Sequence, residues 1–531
     1  MCGIGLIVGA NPDVQTFHRM MAALKPRGEI EEVIEEPGLL CGTQRLPIVD
    51  RQQAIQPWQS PDGRWVLCYN GEIFNHGEIR QQLRAAGVDF RSESDTEVAL
   101  EAFLYWGEAG LMRLRGEFAF AVVERATGRV FLARDPVGVK PLYWTSRSGC
   151  LYIASEVKAL VPVGAPIHEV PPGHLGWAEP GGTAPVLSPY VDLLRLAEDQ
   201  APIHDLDEAK FLVRTAIEDS IRVRVDTDLT VGVILSGGLD SSLTLLNVLK
   251  MHPDCVAFTI GTAGSEDMRY ARRLTAELGV RHEVIELEPG GVKLDDIRTA
   301  IRLSELTEYG DVINAVVSTP LFRRVHQCGV KVVLAGDGSD ELFGGYDMYR
   351  QADDGIRERL FRHKILNLSR TELQRVDRTS MGFGVEVRVP FLDIDLIELA
   401  LRLPIGFKVH EGREKWILRE AFADVLPDYI RQRPKNPMSH SSGLHERARL
   451  FKPLFARIYR SFGYDLLGPM RRDFSIVLEQ HDLDLDQALA AVDARGDFTP
   501  AEHLRDFVGA LRWNVQTAVK ARTGAGAHGP T

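Results

Sequence analysis

The sequence predicts an α+β unit of stacked sheets followed by an α/β unit built on a doubly wound parallel sheet. Three observations lead there. Up to about residue 185, short apolar runs end at Gly, Asp or Asn, and only two stretches carry a helical pattern. Residues 162–172 and 179–189 are rich in Pro and Gly and read as loops. Past a boundary near 190–207, strands, loops and helices alternate.

Residues 65–69 (WVLCY), 118–123 (FAFAVV), 130–133 and 151–154 read as buried strands of the first part. Helices are expected at about 78–86 and 96–106. Sheets with few helices stack as β layers covered by helices. In the second part, 230–235, 255–260 and 330–335 read as strands and 241–250 as a helix. Beyond 380 the chain reads as mainly helical, and 521–531 as a disordered tail.

The chain has 531 residues, 44% apolar and 26% charged, enough for several ordinary cores. A net charge of −12 excludes a general nucleic-acid or anionic-membrane surface, which would need a basic face. The six cysteines are widely spaced and form no CxxC pair, which argues for free thiols in a reducing, cytosolic setting. No apolar run approaches the ~20 residues of a membrane helix. The opening MCGIGLIVGANPD reads as a buried first strand ending in a turn at Asn11-Pro12-Asp13 rather than as a targeting segment.

Two places carry chemistry. Cys2 becomes the first residue if Met1 is removed, so a thiol and a free α-amine then share one residue. That amine can serve as base for its own nucleophile. In the second part, Ser236-Gly237-Gly238-Leu239-Asp240-Ser241-Ser242 follows a strand and opens a helix. Its glycines let backbone N–H groups approach a phosphate, Ser241 and Ser242 add hydroxyls, and Asp240 is a candidate magnesium ligand. The loop is not GxxxxGK[ST], so simple γ-phosphoryl transfer is disfavoured.

Around these centres, ordered blocks match known families. Residues 45–50 (RLPIVD), 69–75 (YNGEIFN) and 94–97 (SDTE) resemble the class II glutamine amidotransferase motifs RLxIxD, NGEIxN and SDTE. Residues 135–143 (DPVGVKPLY) and 155–160 (SEVKAL) match two further signatures. The 236–242 loop resembles the PP-loop signature SGGxDS, and 336–346 (GDGSDELFGGY) resembles its partner loop. Residues 375–382, 386–393, 414–419 and 433–435 continue the match. The whole resembles the glutamine-hydrolysing asparagine synthetase family over about residues 2–445.

The resemblance implies an N-terminal-nucleophile αββα sandwich at 2–190. It implies a PP-loop ATP-pyrophosphatase α/β domain with a helical C-terminal part at 207–520. It implies glutamine, ATP with magnesium, and a carboxylate (aspartate) as small-molecule partners, and a homodimer. Cys2 would be the nucleophile, with Asn70 and Gly71 as oxyanion donors. Arg45 suits the glutamine α-carboxylate as a fork, Glu72 and Asp95 its α-ammonium, and Ile48 and Val49 would line the pocket. Leu235, Ile260, Ala335 and Gly336 would line the nucleotide, and Asp240 and Asp340 would hold magnesium. Lys435 would neutralise the α-phosphate, and Asp337 would assist ammonia attack.

Three departures stand out. The family's RGPD stops here at Arg27-Gly28 and runs into Glu29-Ile30-Glu31-Glu32, an acidic loop expected to alter a flap over the glutamine site. Asp337 stands where many members carry Glu. Residues 436–443 (NPMSHSSG) replace the usual EQFSDGVG and are expected to face the acceptor. These keep open a relative that amidates a different carboxylate in secondary metabolism or polysaccharide modification. A non-catalytic homologue or a β-lactam synthetase-type ring former fits less well, because Cys2 and its pocket are retained.

Overall fold

The computed structural model describes residues 1–288, 291–306, 309–346, 349–350, 354–370, 372–435 and 451–467. The 436–443 segment, the last part of the second domain and the 521–531 tail lie outside them.

Twelve strands build the first half. They are β1 (Cys2–Gly9), β2 (Ile30–Glu36), β3 (Leu39–Arg45), β4 (Trp58–Gln59), β5 (Trp65–Ile73) and β6 (Gly116–Glu124), followed by β7 (Arg129–Arg134), β8 (Tyr143–Arg147), β9 (Cys150–Ala154), β10 (His168–Glu169), β11 (His174–Ala178) and β12 (Val186–Pro189). They form two antiparallel six-stranded sheets, in the orders β10-β8-β9-β1-β3-β2 and β12-β11-β7-β6-β5-β4. Ile4, Leu6, Val66, Cys68, Ala119 and Ile153 fill the layer between the sheets. Helices α1 (Val14–Leu24) and α4 (Val157–Leu160) cover the first sheet, while α2 (His76–Ala85) and α3 (Asp95–Trp106) cover the second. The architecture is an αββα sandwich.

Helix α1 was not among the expected elements. Asp13 read as a turn residue, yet its carboxylate caps the helix by accepting from Gln15 N–H. Phe17, Met20, Met21 and Leu24 then bury one face of α1 on the sheet. The acidic segment expected to be a loop is also different: Ile30–Glu36 is edge strand β2, paired along its length with β3. Its glutamates line an outer edge, where charge discourages further pairing. Strands β10 and β12 likewise fall inside stretches expected to be loops.

The second half is an all-parallel five-stranded sheet. Its strands are β13 (Val231–Ile234), β14 (Val256–Gly261), β15 (Arg281–Glu286), β16 (Val332–Leu334) and β17 (Glu386–Arg388), in the order β15-β14-β13-β16-β17. Helices α5 (Leu206–Arg224), α6 (Leu239–Val248), α7 (Glu266–Leu278), α8 (Leu294–Ser304) and α9 (Tyr309–Gln327) intervene, with the short α10 (Ser339–Phe343) after β16. The order reverses at β13, so the crevice at the strand C-termini opens beside β13 and β16. Strand β17 adds three sheet residues to the stretch beyond 380 that was expected to be mainly helical, and joins the sheet through β16.

Buried charges fasten the halves together. Glu117 on β6 accepts from Lys140 and Arg224 at 3.1 Å each and from the Val389 backbone N–H at 3.1 Å. Arg224 also reaches Asp393 at 2.7 Å. Ions out of water persist only where paired and hydrogen-bonded, and every member here is.

Candidate active sites

Sheet register builds the first site. Cys2 at the start of β1 lies directly opposite Arg45 at the end of β3. Asn70, Gly71 and Glu72 end β5, and Asp95 opens α3. A narrow cleft there is lined by Cys2, Arg45, Ile48, Val49, Gly71, Glu72 and Asp95 among others.

The Cys2 backbone nitrogen donates to Asn70 Oδ1 at 3.0 Å, and the Met1 amine sits on Glu386 at 3.0 Å. Asn70 Nδ2 is buried and has no hydrogen-bond partner among the described residues. A buried amide donor left open beside a thiol can receive a developing oxyanion. A side chain at Gly71 would push on the β6 backbone, because an added Cβ would stand 2.4 Å from Glu117 O and 2.6 Å from Phe118 Cα. Burial pushes the Cys2 thiol above its ordinary value, against the pull of the amino terminus and Arg45.

Asp95 accepts from the Tyr69 hydroxyl at 2.8 Å and from Ile73 N–H at 3.2 Å. Glu72 lies 3.4 Å from Arg388. Burial and then the neighbouring Asp95 push its carboxyl well up. Sequence reasoning missed Gln56. Its Nε2 donates to Thr96 Oγ1 at 3.0 Å and lies 3.8 Å from Cys2 Sγ. No local motif marks Gln56; only the fold carries it to the thiol.

The second site lies at the C-terminal ends of β13, β14 and β16. Leu235 and Ser236 follow β13, Ile260 is near the end of β14, and Ala335 and Gly336 follow β16. The loop between β13 and α6 folds on itself: Ser236 N–H donates to Ser241 Oγ at 3.2 Å, and Gly238 N–H to Ser236 Oγ at 3.3 Å. Gly237 has φ +68°, and a Cβ there would meet Ala271 N at 2.7 Å. Ser242 is buried behind the loop.

Asp240 and Asp340 converge on one cation. Lys415 Nζ contacts Asp240 Oδ2 and lies 2.5 Å from Asp340 Oδ1. Lys435 Nζ donates to Asp340 Oδ2 at 2.5 Å. Burial alone would raise the Asp340 carboxyl; Lys415 and Lys435 outweigh it and hold Asp340 well below the usual range. Lys435 is raised in turn: burial opposes its charge, and Asp340 and Asp240 prevail. Asp337 pairs with Arg375 at 2.7 Å.

Lys415 and Arg433 had no assigned role in the sequence reading. Arg433 donates to Gly237 O at 2.8 Å, pairs with Asp267 and lies over the Tyr270 ring at 4.3 Å. It thus backs the loop from behind. Carboxylates are the ligands magnesium takes, so Asp240 and Asp340 are the residues that would hold one, with Lys415 displaced from between them.

A thiol cleft in an αββα sandwich, joined to a phosphate-type loop on a parallel sheet, defines a two-site protein with an amidotransferase half and a synthetase half. Comparison with known families agrees: a glutamine amidotransferase domain profile matches residues 1–175, and an asparagine synthase profile matches 212–363 and 352–474. A probable glutamine-hydrolysing asparagine synthetase of Schizosaccharomyces pombe is 34% identical over 489 residues, covering 83% of this chain and 85% of that protein. Asparagine synthetase B of Escherichia coli is 36% identical over 423 residues, covering 75% of this chain and 74% of that protein. The chain belongs to the glutamine-hydrolysing asparagine synthetase family. Among the described residues, no helix is long and apolar enough to cross a membrane.

Proposed function

We propose that this chain moves the amide nitrogen of glutamine onto the side-chain carboxylate of aspartate, consuming ATP and yielding asparagine, glutamate, AMP and pyrophosphate. The observation that carries the reading is the coexistence of two built sites, the Cys2 cleft and the Asp240–Lys415–Asp340–Lys435 cluster, on one interlocked chain.

At the first site, removal of Met1 turns the Cys2 nitrogen into an amine already anchored on Asn70. It takes the thiol proton as sulfur attacks the amide carbon, and returns it to the departing nitrogen as the C–N bond breaks. Asn70 Nδ2 and the Gly71 N–H receive the oxyanion. Arg45 holds the α-carboxylate, Asp95 and Glu72 hold the α-ammonium, and water cleaves the glutamyl thioester. Ammonia then passes through the interior to the second site.

There the aspartate β-carboxylate attacks the α-phosphorus of ATP, and pyrophosphate leaves. Lys435 and Lys415 offset the charge that develops on the phosphates. Asp240 and Asp340 would hold magnesium, which when bound supplies charge neutralisation to the leaving pyrophosphate. Leu235, Ile260, Ala335 and Gly336 flank the nucleotide. Ammonia attacks the acyl-adenylate and AMP departs. Asp337 is suited to take the excess proton, since burial pushes its carboxyl up against the pull of Arg375.

A second reading keeps the chemistry and changes the acceptor. Asp337, one methylene shorter than the Glu of many relatives, is tied to Arg375, which alters reach and charge where the acceptor would sit. The test is pyrophosphate release with ATP, magnesium, glutamine and L-aspartate, with asparagine followed in the same tube. Stoichiometric asparagine supports the first reading. Glutamine hydrolysis without asparagine refutes it and turns the search to a panel of other carboxylic acids.

A further inference from the structure

We propose that Glu32 is a built-in competitor for the α-carboxylate of the amide donor, occupying Arg45 until glutamine displaces it. The inference rests on reading the first cleft as a glutamine site. In the register of β2 on β3, Ile30 lies opposite Arg45, which puts Glu32 at the diagonal position on the same face. From there its Oε2 accepts from Arg45 Nε at 3.1 Å and from the Gln56 backbone N–H at 3.1 Å. Arg45 Nη1 donates to the Arg51 carbonyl at 3.2 Å.

A guanidinium grips a carboxylate through two parallel bonds, using Nη2 with either Nε or Nη1. Glu32 takes the Nε side of the Nε–Nη2 fork, and one of the two Nη1 N–H groups goes to the Arg51 carbonyl. A donor carboxylate completes the Nε–Nη2 fork only by displacing Glu32. Glu32 is the easier to move: it is a side chain 24% exposed, able to swing into water, whereas the Arg51 carbonyl belongs to the backbone. The cleft wall already carries Glu72 and Asp95, and Glu32 stands just behind that wall on Arg45 and Gln56. That acid favours an incoming ammonium and opposes an incoming carboxylate.

Displacement has a second effect. Glu32 tethers the Gln56 backbone, and the Gln56 side chain reaches towards the Cys2 thiol. Seating a carboxylate on Arg45 releases that tether, so the thiol's neighbour responds only to a donor that carries the carboxylate.

The test is calorimetric titration of L-glutamine into the full chain carrying Cys2→Ala, which binds without hydrolysing. It is repeated with Glu32→Gln and, independently, with Glu32→Ala. The expected result is a Kd lower by about three- to tenfold in both variants. Binding of 4-aminobutanamide, the same amine and amide without the carboxylate, is expected not to tighten. Unchanged or weaker glutamine binding, or equal tightening of both ligands, overturns the inference while leaving the glutamine site standing. Failure of glutamine to bind any of the proteins overturns the reading of the site, and this inference with it.

Discussion

Arg27 and Asp377 stand 350 residues apart in the chain and meet in a buried two-point ion pair, at 2.9 and 3.2 Å. The same guanidinium donates to the Cys2 carbonyl at 3.0 Å. The strand that carries the thiol is therefore fastened to the helix Glu372–Met381 of the other half. Asp377→Ala strips a buried cation of a partner and is expected to cost about 3–5 kcal/mol in urea unfolding. A loss within the scatter of surface substitutions would show that Glu156, also on Arg27 at 2.7 Å, suffices alone.

The same pair sets an acid limit. Burial alone would raise the Asp377 carboxyl, but Arg27 and Arg378 bring it to about 2, against an ordinary 3.8. With the folded value depressed, the unfolded chain binds the proton first as pH falls. The stabilisation is complete above about pH 4 and drains away as pH drops towards the folded value. The stability gap between the unsubstituted protein and Asp377→Asn should therefore narrow on acidification through this window. A gap independent of pH would contradict it.

Cys2→Ala is expected to abolish glutamine-driven synthesis while ammonium salts still support pyrophosphate release. Loss of both activities in a protein with an unchanged circular dichroism spectrum would show that the two sites are not separable.

Gly71→Ala forces a methyl group against the β6 backbone. A cost of about 1–3 kcal/mol is expected, with loss of glutaminase activity. Retention of both stability and glutaminase activity would mean that the strands yield without consequence.

Lys435→Ala should cut pyrophosphate release by about 100- to 1,000-fold and leave glutamine hydrolysis in place. Equal loss of both reactions would place Lys435 in folding rather than at the phosphates.

Candidate segments written as contiguous motifs are legible in the sequence: the 236–242 loop and the 69–75 strand end carry their own turn and strand signals. What escaped was assembled by long-range pairing. Glu32 reads only as one member of an acidic loop expected near the glutamine site until the β2–β3 register sets it on Arg45. Lys415 reads as one basic residue among many until the fold buries it between two aspartates. Strand β17 is too short to show a period, and its partner β16 lies more than fifty residues earlier. Helix α1 was readable, since Phe17, Met20, Met21 and Leu24 recur at helical spacing. Taking Asp13 as a turn residue hid its role as a cap.

The buried charges between the halves also bear on how the molecule comes apart. Glu117, Lys140, Arg224 and Asp393 cannot be exposed one half at a time, because each ion's partner lies across the seam or beside it. A protease cut in the connecting stretch between Asp192 and Asp205 would leave two fragments that co-elute and melt in one step. Nicking would make a two-chain particle rather than two free modules.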